Sequence, residues 1–495
     1  MRKRIQFSLD MLTLDADAET ALHRQLYNEL TRLILSGKLK ANTRLPSSRT
    51  LADELHISRN TVIAAYDALL AEGYVECRSG SGTWISDLPE PTKKPDSQQD
   101  ELHLPQLSRR GNVIVRQPKD QTVPGQIAFH PGFPDIREFP FSTWARLLKR
   151  HARYPHEEIF GYHSLSGHPR LQTAIANYLG VSRGVECTPS QVIIVTGAQS
   201  AFDLCARLLL DEGDAFCYEE PGYSGAFSAM LAAGGVPIPL YVNRDGWSVR
   251  TTFEQNPRLF FVTPSCQWPM GLAMRLENRL ELLNAAENLN AWIIEDDYDG
   301  EYRYRGKPIP AMQGLDKSGT VLYVGTFGKT MFPALRIGFV VVPARLSQAF
   351  DAAVSITGKH PPLLLQATLA DFIEEGFFAK HLAKMRRIYA ERQAEFVGEC
   401  NAYLGEWLSV EQIDTGMQVV GRFKMPMSDL EFCGLAAAHA VDVSPLSPHY
   451  RHSPPEQGII MGYTGVGATE RQKGLERLRA AFQESLRSKD RGCVA

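Results

Sequence analysis

The feature that most constrains this chain is a break in its composition between residues 87 and 126. The stretch "DLPEPTKKPDSQQDELHLPQLSRRGNVIVRQPKDQTVPGQ" is rich in Pro, Gln, Lys and Asp and has no sustained apolar period. Such a composition buries too little apolar surface to offset the entropy of ordering it, so we expect a flexible linker. Because 495 residues are too many for one ordinary core, the linker predicts a small domain over 1–86 and a larger unit over 127–495.

Bulk properties exclude several classes of protein. The formal net charge is −3, which argues against a uniformly basic surface but allows a local DNA-binding face. The eight cysteines form no CxxC pair and no zinc spacing, so we expect reduced thiols and no metal site. We find no secretory h-region and no apolar run approaching ~18 residues, and therefore expect a cytoplasmic protein.

The first 86 residues have the pattern of a winged helix-turn-helix. The stretch "TALHRQLYNELTRLILS" at 20–36 places leucines at helical spacing. Ser47 or Ser48 can cap a helix through Leu55, and Ser58 can cap a second helix that runs to about Glu72. The following "YVECRSGSGTWIS" is typical of a β-hairpin with a glycine-rich tip, which can approach a sugar-phosphate backbone closely.

Taken alone, this pattern also fits a helical adaptor. Residues 1–85 contain 11 Lys and Arg against 10 Asp and Glu, so charge does not decide between adaptor and DNA-binding domain. The sequence motifs favour a DNA-binding domain, because they resemble the winged helix of the GntR family of bacterial regulators. These motifs are "RLPSSRTLADEL", "SRNTV", "AYDALLAEGYV" and "GSGTW". The resemblance implies DNA contacts from Arg44, Ser47, Arg49, Ser58, Arg59, Asn60, Thr61 and Gly82.

Two positions depart from that family. "KANTR" stands where a Pro-Gly is usual, although Asn42 tolerates a left-handed turn. His56 replaces a usual glycine.

The larger unit places a lysine between two strand-like stretches, in "VLYVGTFGKTMFPALRIGFVVVP". A lysine that forms a Schiff base with an aldehyde cofactor needs a site that binds the rest of that cofactor. Upstream, "QVIIVTGAQSAFDLCARLLL" predicts a strand, a turn and a helix, with Gly197, Ala198 and Gln199 at the turn. Their backbone N–H groups would point at an anion beside the helix N-terminus.

The other parts of a cofactor site follow in order. Tyr223, after Pro-Gly in "CYEEPGYSG", could stack on a flat ring, although a lone loop tyrosine is more often ordinary packing. The acids of "AWIIEDDYDGEYRYRG" follow a short buried strand, where a carboxylate could pair with a pyridine nitrogen and Tyr298 could reach a phenolate oxygen. A solvated acidic loop is the alternative. Thr326 and Arg336 flank Lys329 and could hold a phosphate.

This order resembles that of fold-type I aminotransferases, which bind pyridoxal phosphate (PLP), and the match extends through "IFGYHSLSGHPRLQTAIANYL", "TPSCQWPMG" and "GTFGKTMFPALRIGF". Together the two parts resemble the MocR subfamily of GntR regulators, so we expect an N-terminal winged helix-turn-helix joined to an α/β aminotransferase-like domain. The resemblance implies that Lys329 carries the cofactor as an aldimine. It further implies these contacts: Asp296 with the pyridine nitrogen (Asp297 remaining possible), Tyr298 with the phenolate, Tyr223 stacked on the ring, Gly197, Ala198, Gln199, Thr326 and Arg336 around the phosphate, and Tyr162 reaching the partner subunit's phosphate.

The departures from that family lie near the expected ligand pocket. Cys266 stands where histidine is usual, and Trp268 stands where true aminotransferases carry an asparagine that bonds the cofactor. Met270 and Gln418 are also variant, and near "QGIIMGYTG" we find no arginine to hold a substrate carboxylate, Arg451 being the nearest candidate. A thiol at 266 could also compete with an amine for the cofactor's aldehyde.

These observations favour a PLP-dependent transcriptional regulator. We expect it to bind double-stranded operator DNA and to sense a small amine, an amino acid or PLP itself. The resemblance implies a head-to-tail homodimer, and ~40 linker residues reach at most ~130 Å, enough for a crossover. The alternative is a genuine aminotransferase carrying a DNA-binding domain; the missing arginine and asparagine predict at most weak residual activity of that kind.

Overall fold

A computed structural model of the chain describes residues 12–87 without 13, 16, 19 and 79, residues 107–115, and residues 127–492 without 155, 156, 162–165, 307, 308 and 359. They form two compact units, which divide between residues 106 and 107. Because 88–106 and 116–126 lie outside the described residues, the expected linker bounds at 86/87 and 126/127 remain predictions. Among the described helices, none is both long and apolar enough to cross a bilayer.

The first unit is a three-helix domain with a two-stranded wing. Its elements are α1 (Leu22–Leu35), α2 (Ser48–Leu55), α3 (Arg59–Ala71), β1 (Val75–Arg78) and β2 (Gly82–Ile85). Helix α1 buries Leu26, Leu30 and Leu33, which recur at helical spacing. Ser47 and Ser58 cap α2 and α3 by accepting the N–H groups of Thr50 and Thr61, both at 3.1 Å, as the sequence predicts.

The two departures from the GntR pattern both fall on left-handed backbone. His56 ends α2 with φ +55°, and Asn42 has φ +60°. A glycine adopts this conformation without steric cost, which explains why glycine is usual at both turns. Asparagine tolerates it better than histidine does, because its short side chain bonds locally.

The second unit begins with a short helix inside the expected linker and continues into an α/β domain. Its first elements are α4 (Arg109–Val115), β3 (Ile127–Ala128), α5 (Phe141–Ala152), α6 (Glu157–Phe160), α7 (Pro169–Arg183), β4 (Val192–Val195), α8 (Ala198–Leu209), β5 (Ala215–Glu220), α9 (Ser224–Ala232), β6 (Val236–Asn243), β7 (Gly246–Trp247), β8 (Leu259–Val262), α10 (Leu276–Leu289), β9 (Trp292–Asp296), β10 (Val321–Thr326) and β11 (Gly338–Val341). Helix α4 packs against α9. Its seven residues are too few for the periodicity by which the sequence could have indicated it.

The chain then builds a second layer of helices and a small sheet. The remaining elements are α11 (Ser347–Thr357), α12 (Leu363–Glu374), α13 (Phe377–Leu404), β12 (Leu408–Val410), β13 (Gln418–Phe423), α14 (Asp429–Ala438), β14 (Val441–Asp442), β15 (Ser444–Pro445), β16 (Gly458–Gly462) and α15 (Ala468–Gly492). Short 3-10 helices connect them at Ile136–Glu138, Pro189–Gln191, Val249–Gln255, Gln313–Leu315, Pro333–Leu335, Ala344–Leu346 and Ser447–His449.

The large sheet has eight strands in the order β4-β11-β10-β9-β8-β5-β6-β7. The five central strands from β10 to β6 run parallel, and β11 runs against both of its neighbours. Strands β4 and β8 are buried throughout as "VIIV" and "LFFV", because helices cover both faces of the sheet. A four-stranded antiparallel sheet, β12-β13-β16-β15, and the parallel pair β14-β3 belong to the second layer.

Candidate cofactor and DNA-binding sites

Four residues that we name the cradle, Gly197, Ala198, Thr326 and Arg336, meet at the N-terminus of α8. Gly197 has φ +79°, and a Cβ built on Gly338 would come within 2.9 Å of the Gly197 Cα and 3.1 Å of the Ala198 nitrogen. Two backbones therefore approach here more closely than any side chain allows. Thr326 pairs with Gly338 across the neighbouring strand, and the Arg336 guanidinium lies 3.8 Å from the ideal Cβ position of Gly197.

The cradle thus collects four of the five predicted phosphate contacts around one helix N-terminus, where backbone N–H groups and the helix dipole favour an anion. Gln199 differs. Its side-chain amide donates to the Gly225 carbonyl at 2.9 Å, so the side chain ties the cradle to the loop of Tyr223 and only its backbone N–H remains for the anion.

The two adjacent aspartates have different surroundings. Asp297 accepts hydrogen bonds from Arg183 at 2.7 Å and from the Tyr323 hydroxyl at 2.6 Å, both on Oδ2, while its buried Oδ1 has no hydrogen-bond partner among the described residues. Asp296 ends β9 and is 4% exposed, and its Oδ1 finds no hydrogen-bond partner among the residues that the structure describes. Burial raises the pKa of Asp296 well above its usual range; Asp297 and Glu219 add to the rise, whereas Lys329 opposes it.

Lys329 follows β10 and is half-buried. Its Nζ would lie 2.7 Å from a Cβ built on Gly132, which has φ +67°. Any larger residue at 132 would have to displace the lysine. The ammonium lowers the pKa of both Asp296 and Asp299, so these three groups share one electrostatic neighbourhood.

Gly132 is a site residue that our sequence reasoning missed. It lies almost 200 positions before the lysine, in "FHPGFPD". Its Pro-Gly pair is the only local signal, and it indicates a turn without naming what approaches that turn.

Tyr298 is buried and lies in a chain of hydrogen bonds. The Gln418 amide donates to its hydroxyl at 3.2 Å, and that hydroxyl donates to Cys266 Sγ at 3.4 Å. Burial, with the neighbouring Asp299, raises the pKa of the Cys266 thiol well above its usual range. A protonated, buried thiol is a weak nucleophile, which argues against competition between Cys266 and an amine.

Trp268 forms the wall between the two tyrosines. Its ring centroid lies 6.0 Å from that of Tyr223 and 6.0 Å from that of Tyr298, edge-on in both cases. The indole N–H donates to the His449 ring at 3.3 Å. Where aminotransferases carry an asparagine toward the cofactor, this chain therefore has an aromatic wall braced from the second layer.

Arg451 is poorly placed to hold a carboxylate. Its guanidinium stacks 3.9 Å from the centroid of the Phe227 ring. Its backbone N–H, with those of the next two residues, donates to Glu220 Oε1. The role of Tyr162 stays a prediction, because residue 162 lies outside the described residues.

A cavity lies beside this site and excludes its central residues. It measures ≈680 Å³ and is lined by the loops around Asn243, Gly271, Gln412 and Ser453, but by neither Lys329 nor Asp296. The candidate cofactor site is therefore defined by the polar groups around Lys329 and not by this cavity.

The predicted DNA contacts lie between residues 44 and 82 of the first unit. Arg44, Ser47, Arg49, Ser58, Arg59, Asn60, Thr61 and Gly82 all belong to α2, α3, the wing or the turns beside them, and most of them are exposed. The Arg59 Nε donates to the Ser48 hydroxyl at 3.3 Å, which orients its guanidinium at the start of α3. Arg44 pairs with Trp84 of the wing, and its Nε lies 3.0 Å from the ideal Cβ position of Gly82, whose φ of +94° favours glycine.

Comparison with known proteins agrees with both halves of this architecture. Residues 22–85 match the family model "Bacterial regulatory proteins, gntR family", and residues 135–454 match "Aminotransferase class I and II". The fold resembles that of LysN, the α-aminoadipate aminotransferase of Thermus thermophilus, with TM-score 0.70 and 25% identity over 76% of this chain and 97% of that one. The fold is thus that of an aminotransferase class I and II domain joined to a winged helix.

Two relatives match over most of the chain. The "Probable rhizopine catabolism regulatory protein MocR" of Rhizobium meliloti is 57% identical over 95% of this chain and 96% of the relative. The "Uncharacterized HTH-type transcriptional regulator YdeL" of Bacillus subtilis is 33% identical over 95% and 98%. The chain belongs to the MocR type of GntR-family transcriptional regulators, which confirms the predicted fold class and favours the regulator over the aminotransferase alternative.

Proposed function

We propose that this regulator binds pyridoxal phosphate covalently through Lys329 and senses a small amine there, so that ligand binding alters its affinity for operator DNA. The observation that carries the proposal is the buried, unpaired Oδ1 of Asp296 in the electrostatic neighbourhood of Lys329. A buried acceptor without a partner is costly, so a site that keeps one is built for a ligand that donates a hydrogen bond.

The donor and acceptor groups fit the cofactor. Asp296 would accept from the protonated pyridine nitrogen, which removes the cost of its unpaired oxygen. Each aspartate has an unpartnered Oδ1, but Asp297 is held through its Oδ2 by Arg183 and Tyr323, so we assign the pyridine contact to Asp296. The cradle of Gly197, Ala198, Thr326 and Arg336 would hold the phosphate.

The remaining residues orient the ring and exclude water from it. The Tyr298 hydroxyl would turn from Cys266 to the phenolate oxygen, and Tyr223 would stack on the ring, backed by Trp268. When bound, pyridoxal phosphate supplies an aldehyde carbon that forms a reversible C=N bond with an amine. If an effector amine took the place of Lys329 in that bond, the proton given up by the effector's ammonium would pass to the freed Lys329 nitrogen, whose positive charge acts on Asp296 and Asp299.

A borohydride experiment tests this proposal. Full-length protein incubated with pyridoxal phosphate should develop a visible absorbance band, and reduction should fix the cofactor mass to the peptide that contains Lys329. Lys329→Ala should lose both signals and keep the far-UV circular dichroism of the parent. A fixed cofactor in that variant would contradict the assignment.

The regulatory step is a population shift. The larger unit would have two arrangements that differ in DNA affinity. A ligand can shift the balance between them by no more than the difference in its binding free energy for the two arrangements. We propose a head-to-tail homodimer with two DNA-binding heads, so that the operator has two half-sites. Light scattering should then give twice the chain mass of 55.2 kDa.

The most similar of the relatives described above carries the name of a rhizopine catabolism regulator. We extend this to propose that the present chain also controls the catabolism of its effector. Footprinting of its own upstream DNA, with and without the candidate amine, checks this, and protection that ignores every amine would contradict it.

A further inference from the structure

Lys329 lies in a turn whose backbone is held by side chains from distant parts of the chain. Strand β10 ends at Thr326 and the next 3-10 helix begins at Pro333, so Lys329 belongs to neither a strand nor a helix. Within the turn, the Met331 N–H donates to the Phe327 carbonyl at 2.9 Å. A connecting segment of this kind is more mobile than regular structure unless further contacts fix it.

The first of these further contacts comes from Tyr302, which follows the acidic loop after β9. Its hydroxyl donates to the Lys329 carbonyl at 3.4 Å, and the side chain is 0% exposed. The Tyr302 ring packs edge-on against Tyr389, with 5.0 Å between the ring centroids. Burial raises the pKa of Tyr302 well above its usual range, so the hydroxyl keeps the proton that it donates.

The second contact comes from His381, which lies near the start of α13 and is buried. Its Nε2 lies 3.0 Å from the Thr330 carbonyl oxygen. Because a carbonyl oxygen only accepts, Nε2 carries the hydrogen of this bond. Burial lowers the pKa of His381 to about 4, so the ring is neutral near pH 7. The ring packs edge-on against Phe139, with 5.3 Å between centroids.

The position of this turn decides where the lysine amine can reach. The ammonium of Lys329 ends a flexible four-carbon stem, and its Nζ lies 2.7 Å from the ideal Cβ position of Gly132. A cofactor held by its phosphate and its ring presents its aldehyde at one place. A misplacement of about 1 Å between reacting atoms can slow a reaction by about 100-fold. The backbone that carries the lysine must therefore be fixed as well as the cofactor.

We propose that Tyr302 and His381 are positioning residues for Lys329, which hold the backbone of its turn so that Nζ meets the aldehyde carbon of pyridoxal phosphate. This inference rests on the proposed function, since it concerns the same bond. In that step the neutral Nζ forms a C=N bond with the aldehyde carbon, and the aldehyde oxygen leaves as water with the two hydrogens of the amine. Both side chains act through backbone carbonyls, so neither is counted as catalytic.

Matched substitutions test the two contacts separately. Glutamine and asparagine carry the same amide, but only the glutamine Nε2 is as many bonds from Cα as the histidine Nε2. His381→Gln therefore keeps a donor for the Thr330 carbonyl, whereas His381→Asn withdraws it. Tyr302→Phe removes the hydroxyl and keeps the ring against Tyr389. Tyr154→Phe makes the same change at an exposed ring and serves as the control.

Three measurements on the full-length protein separate positioning from folding. Stopped-flow absorbance at saturating pyridoxal phosphate gives the rate at which the bond to Lys329 forms. Titration with pyridoxamine phosphate, which has an aminomethyl group in place of the aldehyde, measures how the rest of the site binds. Hydrogen exchange of the Met331 amide in protein without cofactor reports how firmly the turn is held.

His381→Asn should slow formation of the bond about tenfold, and Tyr302→Phe, which loses a longer hydrogen bond, about threefold. His381→Gln and Tyr154→Phe should stay within about twofold of the parent rate. The Met331 amide should exchange faster in the first two variants alone. The affinity for pyridoxamine phosphate should change by no more than about twofold in all four.

Equal rates in His381→Asn and His381→Gln, or a parental rate in Tyr302→Phe, would overturn the inference. Parallel losses of rate and of affinity for pyridoxamine phosphate would overturn it as well, because that pattern indicates a general loss of packing. Tyr302→Phe removes one hydroxyl and decides alone if His381→Asn fails to fold. Parent protein that shows no cofactor mass on Lys329 after borohydride would instead refute the proposed function.

Discussion

The contrast between Asp296 and Asp297 gives the sharpest test of the proposed site. Asp297 is paired with Arg183, and the side chains are 1% and 7% exposed. Removing one partner of such a buried pair costs about 3–5 kcal/mol, because the other charge stays buried alone. For a unit of roughly 370 residues, which unfolds with roughly 2.1 cal/mol/K per residue, Asp297→Asn should lower the Tm by about 4–6 °C.

Asp296→Asn should behave in the opposite way. Burial raises the pKa of Asp296 in the folded protein above its value in the unfolded chain, so the folded protein holds this proton more tightly. The folded protein therefore loses stability as the pH rises from the unfolded-state pKa to the folded-state pKa. An amide avoids this cost, so without cofactor the variant should keep or raise its Tm at neutral pH. It should bind pyridoxal phosphate about 10–150-fold more weakly, because it loses a hydrogen bond to a charged group of roughly 1.5–3 kcal/mol.

Differential scanning calorimetry without cofactor, paired with cofactor titration by absorbance, measures both quantities. Asp371→Asn, a carboxyl change at a distant ion pair with Arg150 and Arg170, serves as a control that should change the Tm and leave cofactor affinity alone. Weaker cofactor binding by Asp297→Asn at unchanged Tm would refute the reasoning, and would assign the pyridine contact to the other aspartate.

Three further outcomes are expected. Arg59→Ala should weaken operator binding by about 1–3 kcal/mol at matched salt, measured by gel shift, whereas Arg32→Ala on α1 should not. His56→Gly removes the steric cost of a side chain on left-handed backbone and should raise the free energy of unfolding of the first unit by about 0.5–1 kcal/mol. Hydrogen exchange of the α2 and α3 amides in the full chain measures this change. Burial raises the pKa of Asp371, but hydrogen bonds from Arg170 and His151 outweigh it and lower the pKa below its usual value. The stability lost in Asp371→Asn should therefore shrink as acid titrates that carboxyl in the parent protein.

Local signals in the sequence were enough to predict the first unit. The capping serines, the glycine-rich wing and the left-handed turn at Asn42 are short-range features, and each was confirmed. The order of motifs likewise predicted the strand ends that bring Gly197, Asp296 and Thr326 to one edge of the sheet, because parallel strands present their carboxyl ends together.

Features that depend on distant parts of the chain could not be predicted. Adjacent residues at a strand end point to opposite sides, so only the register of β9 distinguishes Asp296 from Asp297. The approach of Gly132 to Lys329, and the brace from His449 to Trp268, join segments roughly 180–200 positions apart without a local pattern. Helix α4 was missed because the composition around it resembles that of a linker.

The hydroxyls of Ser47 and Ser58 cap α2 and α3 by accepting hydrogen bonds from backbone N–H groups in the first turn of each helix. Both residues are also exposed on the side where DNA binding is expected. Loss of either hydroxyl would therefore weaken folding and recognition at once, and an alanine variant could not separate them. An aspartate variant separates the two effects, because its carboxylate still caps the helix but repels a DNA phosphate. A single change from serine to aspartate at either position would therefore lower the affinity for operator DNA in a related protein and leave the fold of the first unit intact.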